Sequence, residues 1–195
     1  MRNYTSVAAV VVVLATSACQ SHASSPAKSD ERVKPEYDAG GRLTRLTYDK
    51  NGDGKVDTWG FMDGSRVVRV ESDENGDGNV DSWEYHLEGA AAPNNAPVRA
   101  DKTIERIERA TQFDGRVSRK EFFEAGVLAR VEEDTDSDGH MDKWETYARG
   151  TLTMMALDTQ GRGTPDRRLV YNADGSLSRI EADPTGTGEF KPLSQ

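Results

Sequence analysis

The sequence predicts an all-β protein, an antiparallel meander of about six 24-residue β-hairpin repeats with no flanking helices. Three observations carry this expectation. Segments organised around Asp-Gly pairs begin at Asp49, Asp73, Ala110, Asp134, Asp158 and Asp183, at steps of 24, 37, 24, 24 and 25 residues. Each segment consists of runs only six to eight residues long, rich in Val, Thr, Trp, Tyr and Phe and bounded by Gly, which suits strands. Helices of useful length need roughly ten or more residues with caps, and such stretches are missing. With 35 % hydrophobic and 30 % charged residues, the 195-residue chain is thin for one large core but adequate for the narrow core of a repeat array.

The N-terminus reads as targeting. Arg2 precedes an uncharged stretch whose apolar centre, Val7 to Ala15, is too short to span a bilayer but suits a secretory signal. Ala15-Thr16-Ser17-Ala18 leads into Cys19, the only cysteine. This resembles the lipobox of bacterial lipoproteins. The resemblance implies a signal peptide over 1–18 and acylation of Cys19 with palmitate-class chains, hence a membrane anchor. Gln20, which is not Asp, then implies the outer membrane of a bacterial envelope. Thr16 stands where that family carries Leu, and an ordinary signal-peptidase cut is the alternative. Either way no disulfide framework or thiol nucleophile remains. Residues 19–36 are polar and aperiodic, a flexible tether.

The predicted domain spans 37–195. Runs such as LTRLTYD (43–49), VVRVESD (67–73) and LARVEED (128–134) lead into a Gly/Asp/Asn loop. Second runs follow, as in VDTWGFM (56–62), VDSWEYH (80–86) and MDKWETY (141–147), and a Gly turn opens the next segment. The one long step holds an Ala/Pro/Asn-rich insertion at 89–99, as expected of a surface loop. Tyr37 to Leu43 repeats the spacing of Tyr171 to Leu177, so the array is expected to begin with a capping half repeat. This hairpin grammar is similar to that of MORN-like repeats of bacterial surface proteins.

The loops carry the chemistry. In the loop beginning at Asp73, oxygen-bearing residues occupy positions 1, 3, 5 and 9 (Asp73, Asn75, Asp77, Asp81), Gly78 is at 6 and Glu84 at 12. Asn79 at 7 offers its backbone carbonyl. Calcium takes six to eight oxygens, and a Gly at position 6 permits the sharp turn that directs successive ligands inward. The loop at Asp134 is equally complete, with Asp136, Asp138, Asp142 and Glu145, and with His140 contributing its carbonyl rather than its ring. A third loop has Asp49, Asn51, Asp53, Lys55 (carbonyl) and Asp57, but Gly60 replaces the closing acid and predicts a weaker site. The other three have lost ligands: Gln160 and Arg162 stand at positions 3 and 5, Ala110 and Ser118 at 1 and 9, Thr185 and Thr187 at 3 and 5.

Asp, Asn and Gly also build solvated turns without any metal. Two features argue for cations. The three intact loops, counted to position 12, hold thirteen carboxylates and three lysines, so they account for the whole net charge of −10 from Cys19 onward. Like charges packed so closely repel unless neutralised. In addition Trp59, Trp83 and Trp144 all fall at position 11 of these loops, where the others carry Lys120, Arg168 and Leu193.

These loops resemble the helix-free bacterial variants of the EF-hand, such as the calcium loops of dockerin and thrombospondin type 3 repeats. The resemblance implies structural calcium at affinities of roughly 10⁻⁴ to 10⁻³ M, without a calmodulin-like opening switch. The expectation is a calcium-stabilised envelope lipoprotein that serves as an interaction module for an unspecified protein or envelope partner. The alternatives are a metal-independent scaffold or adhesion module whose acidic loops are only turns, and an enzyme or sugar-binding accessory part. A pI near 4.9 argues against nucleic acid. No triad, P-loop or histidine cluster suggests catalysis. Arg45, Arg69, Arg106, Arg130 and Arg179, each four residues before a loop, are read either as a cation–π ladder on the tryptophans or as a solvated face paired with the following acids.

Overall fold

The computed structural model describes residues 31–87 and 102–193. Cys19, the leader, most of the predicted tether and the insertion at 89–99 lie outside them. Thirteen strands form one sheet in sequential order: β1 (Val33–Tyr37), β2 (Leu43–Tyr48), β3 (Thr58–Asp63), β4 (Arg66–Ser72), β5 (Ser82–His86), β6 (Ile104–Arg109), β7 (Arg119–Glu124), β8 (Val127–Glu133), β9 (Lys143–Ala148), β10 (Thr151–Leu157), β11 (Arg167–Tyr171), β12 (Leu177–Ala182) and β13 (Lys191–Pro192). Every adjacent pair is antiparallel. The all-β meander is therefore as the sequence predicts. Among the described residues no helix is long and apolar enough to cross a membrane.

The array starts at Val33, four residues before the predicted boundary. The run Val33–Glu36 has little hydrophobic pattern of its own and is ordered by pairing with the otherwise free edge of β2. Tyr37 pairs with Leu43 across a bulge, as Tyr171 does with Leu177, so β1 is the expected half repeat. Lys34 and Pro35 in β1, and Lys191 and Pro192 in β13, discourage further strands from pairing with either edge.

Because the meander alternates direction, long loops collect on one edge of the sheet and tight turns on the other. Ala125-Gly126 and Arg149-Gly150 have positive φ at both residues, the two-residue turn whose twist matches that of the strands. A bulge recurs beside the turn edge in each hairpin closed there, for example between Phe61 and Met62 and between Phe122 and Phe123. One slipped residue per repeat increases the local twist.

No second layer covers this sheet among the described residues, and the buried apolar side chains are few, Ile107, Ala110, Val131 and Ala156. Long polar side chains take the place of a second layer, their aliphatic stems lying over apolar neighbours. On the face carrying the tryptophans, Arg45, Phe61, Arg69, Tyr85, Arg106, Phe122 and Arg130 sit side by side in one cross-strand row. Guanidinium carbons lie 4.3 Å from the ring centres of Phe61 (Arg69) and Tyr85 (Arg106), and 3.8 Å from that of Phe122 (Arg130). The arginine ladder thus stacks on Phe and Tyr at position 13, not on the tryptophans. The same arginines also pair with the acids two residues on, as in Arg69–Glu71 at 2.9 Å and Arg106–Glu108 at 3.0 Å. The expected stacking on tryptophan is thus replaced by stacking on Phe and Tyr, and it coexists with the ion pairs, because a guanidinium can offer a ring its face and a carboxylate its edge.

Candidate metal centre

All six loops stand along one edge and are stitched together through the backbone. The N–H at position 1 of each loop donates to the carbonyl at position 9 of the preceding one. Asp73 bonds Asp57, Asp134 bonds Ser118, Asp158 bonds Asp142 and Asp183 bonds Asp166, each at 2.8 Å, and Ala110 bonds Asp81 at 2.7 Å. This packs Asp57, Asp73, Asp81, Asp134, Asp166 and Asp183 into a row of buried carboxylates.

Within each loop the carboxylates are bound to the backbone. Asp73 accepts the N–H groups of Gly76 at 2.7 Å and Gly78 at 2.8 Å. Asp49 does the same with Gly52 and Gly54, and Asp134 with Ser137 and Gly139. At position 9, Asp57, Asp81 and Asp142 accept the N–H of Lys50, Glu74 and Thr135 at 2.9 to 3.0 Å. The carboxylates at position 5 accept the N–H at position 7: Asp53 from Lys55, Asp77 from Asn79 and Asp138 from His140, at 2.7 to 2.8 Å. This leaves the backbone carbonyls of Lys55, Asn79 and His140 as the acceptors that the sequence assigns to an ion.

Two consecutive turns make this geometry possible, and the sequence reading noticed only one. Position 6 has positive φ (Gly54 +91°, Gly78 +96°, Gly139 +93°), and so does position 4, where Gly52 and Gly76 are followed in the third loop by Ser137 at +65°. A Cβ at Gly52 or Gly76 would meet nothing within 4 Å, so the preference for Gly at position 4 comes from backbone conformation alone.

The loops differ at position 3. Asn51 and Asn75 direct their amide N–H₂ at Asp53 and Asp77, at 3.3 and 3.0 Å, which places a donor between potential ligands. The Asn75 side chain, then the Asn79 N–H, holds the Asp77 carboxyl below its ordinary value. In the third loop Asp136 brings no such donor. One oxygen each from Asp134, Asp136 and Asp138 lies within 4.8 Å of the others. Across a shallow cleft from this cluster stands loop 158–166, where Arg162 at position 5 reaches Gln160 and the Pro184 carbonyl of the next loop.

The closing acids take different partners. Glu84 lies on β5 and Glu145 on β9, each three residues beyond position 9, which in an extended chain is about 10 Å. A helix would bring this residue back over the ion; a strand carries it away. Glu84 Oε1 lies 2.8 Å from Nε2 of the buried His86, whose Nδ1 meets the Thr103 hydroxyl at 2.7 Å. Glu145 pairs with Lys143 at 2.9 Å and accepts the Tyr147 hydroxyl at 2.6 Å. It belongs to a chain of ion pairs across the face opposite the tryptophans, Arg109–Glu121–Arg119–Glu133–Lys143–Glu145. Gly60 occupies the same row of that face as Glu84 and Glu145, so the first loop differs less from the other two than the sequence implies.

No protein-family model matches this chain, and no curated protein matches its sequence.

Proposed function

We propose that this chain is a calcium-binding β-repeat module in which cations held along the loop edge stabilise a single-layer sheet for interaction with an envelope partner. The observation that carries this reading is the convergence of Asp134, Asp136 and Asp138, three acids with an oxygen apiece within 4.8 Å. Hard oxygen donors of this kind suit calcium or magnesium, and a flexible set of carboxylates, amides and carbonyls favours the larger ion. Loops 49–57 and 73–81 offer the same positions with an Asn at 3. The ligands are therefore assigned to positions 1, 3, 5, 7 and 9. Glu84 and Glu145 serve the strands, and water completes each shell. A site without a closing bidentate acid belongs at the weak end of calcium affinities.

Calorimetry on the chelated protein tests this. Two to three calcium ions should bind, and Asp136→Ala should remove one of them, whereas Glu145→Gln should leave the stoichiometry unchanged. Absence of calcium binding favours the second reading, a metal-independent scaffold, for which the similar turns of the ligand-poor loops speak, with positive φ at positions 4 and 6 throughout. For cellular address we propose secretion and lipid anchoring at Cys19, read from the sequence. Mass spectrometry of the native N-terminus tests it: an unacylated Cys19, or cleavage elsewhere, overturns it.

A further inference from the structure

The carboxylates at position 9 are not equally occupied. In loop 134–142 one oxygen of Asp142 takes the Thr135 N–H at 3.0 Å, and the other takes the Thr135 hydroxyl at 2.7 Å. Loop 158–166 repeats this pair, with Thr159 on Asp166 at 2.9 and 2.8 Å. Where loop 110–118 has Ser118, Thr111 again supplies both contacts. A threonine at position 2 therefore adds a second donor at position 9, one that would compete with an ion for that oxygen.

Loop 73–81 has Glu74 at that place. Its N–H still donates to Asp81 Oδ2 at 3.0 Å, but its side chain turns away to Arg109 at 3.1 Å and brings no hydroxyl. Asp81 is only 2 % exposed, and its Oδ1 finds no donor among the described residues. A buried anionic oxygen without a partner is costly, and a cation is the partner that offsets most of this cost.

We infer that the residue at loop position 2 tunes how readily the position 9 carboxylate ligates a calcium ion: Glu74 leaves Asp81 Oδ1 free to ligate, whereas the Thr135 hydroxyl competes with the ion for the corresponding oxygen of Asp142. This rests on the calcium reading above and adds to it a residue that lies outside the ligand set. Thr135 is exposed, so its exchange disturbs no packing.

The test is a calcium titration of the full domain followed by NMR, with the Gly78 and Gly139 amides reporting loops 73–81 and 134–142 separately. Glu74→Thr and Glu74→Val remove the same charge and the same contact with Arg109, and only threonine restores the hydroxyl. Binding at loop 73–81 should be about tenfold weaker in Glu74→Thr than in Glu74→Val, the equivalent of one hydrogen bond competing with the ion. Thr135→Val should tighten loop 134–142 by a similar factor and leave loop 73–81 unchanged. If Glu74→Thr and Glu74→Val bind alike and Thr135→Val matches the parent, position 2 does not govern the site and a buried water satisfies Asp81. If neither glycine amide responds to calcium in the parent protein, the calcium reading itself fails.

Discussion

Loops 134–142 and 158–166 are neighbours on one edge and are built alike, yet only one gathers acids. Asp134 takes the N–H groups of Ser137 and Gly139, and Asp158 takes those of Gln160 and Gly163. Asp142 and Asp166 cap Thr135 and Thr159 through the same two contacts. The difference lies at positions 3 and 5, Asp136 and Asp138 in one loop against Gln160 and Arg162 in the other. Burial would raise the Asp158 carboxyl, but the N–H groups of Arg162, Gln160 and Gly163 outweigh it and hold it below its ordinary value without any metal. The carboxylates at positions 1 and 9 therefore form a frame that both loops share, whatever stands at positions 3 and 5. On the calcium reading proposed above, positions 3 and 5 would decide whether the frame holds an ion.

Removing calcium should show this contrast most strongly. If two or three sites are each filled tenfold above Kd, chelation should cost about 1.4 kcal/mol per site, roughly 3 to 4 kcal/mol in all. The melting temperature should fall and tryptophan emission shift to the red; millimolar calcium should reverse both, and magnesium should do so poorly. An unchanged melting temperature would reduce the two loops to one kind.

A smaller effect separates frame from ligand. Asp166→Ala strands the Thr159 N–H and should cost about 2 kcal/mol with or without calcium. Asp136→Ala, which frees only the weak contact from Asp138 at 3.2 Å, should cost under about 0.5 kcal/mol in chelator and lose an ion when calcium is present. Denaturant titrations of both variants with and without calcium check this. A calcium-dependent cost at Asp166 would break the distinction.

Acid and base should act on the ion-paired face as well as on loop carboxylates such as Asp77 and Asp158. Burial would raise Glu145, but Lys143 and Tyr147 outweigh it and hold its carboxyl below the ordinary 4.5. Its contribution to stability is present above pH 4.5 and fades as pH falls through the lowered value. Burial would lower Lys143, but Glu145 and Glu133 hold it above the ordinary 10.5, so its contribution is present below pH 10.5 and fades as pH rises through the raised value. In chelator, Glu145→Gln should shrink the loss of melting temperature on going from pH 7 to 3. An identical loss in parent and variant would remove Glu145 from that network and return it as a candidate ligand.

The smallest expected effect sharpens the frame itself. Ser137 holds a φ of +65° where Gly52, Gly76 and Gly161 stand in sister loops. Ser137→Gly should stabilise the protein by about 0.5 to 1 kcal/mol, because a side chain is strained in the left-handed region. Thermal unfolding measures it, and a destabilised variant would show that the serine side chain contributes more than its backbone costs.

Much of the fold was legible because its signals are local. The period set by Asp49, Asp73 and Asp134, the Gly-bounded β-rich runs and the half repeat at Tyr37 all reappear in the sheet. Position 4 was less visible because Ser137 and Phe113 interrupt the run of glycines that marks it. The first four residues of β1 were missed because Val33–Glu36 becomes a strand only through its partner. Glu84 and Glu145 match a helix-flanked loop in spacing, but spacing does not say whether the following chain coils back or extends.

The sequence by itself determined the repeat, the strand lengths, the loop positions and the acidic character of one edge, since hydrophobic patterning and turn chemistry act over a few residues. The tertiary structure decided which acids meet. Burial and backbone N–H groups bind positions 1 and 9 into the frame, and the extended backbone carries position 12 onto a face where Lys143, Tyr147 and His86 await it. Only a through-space contact shows that a threonine at position 2 occupies an oxygen seven residues away.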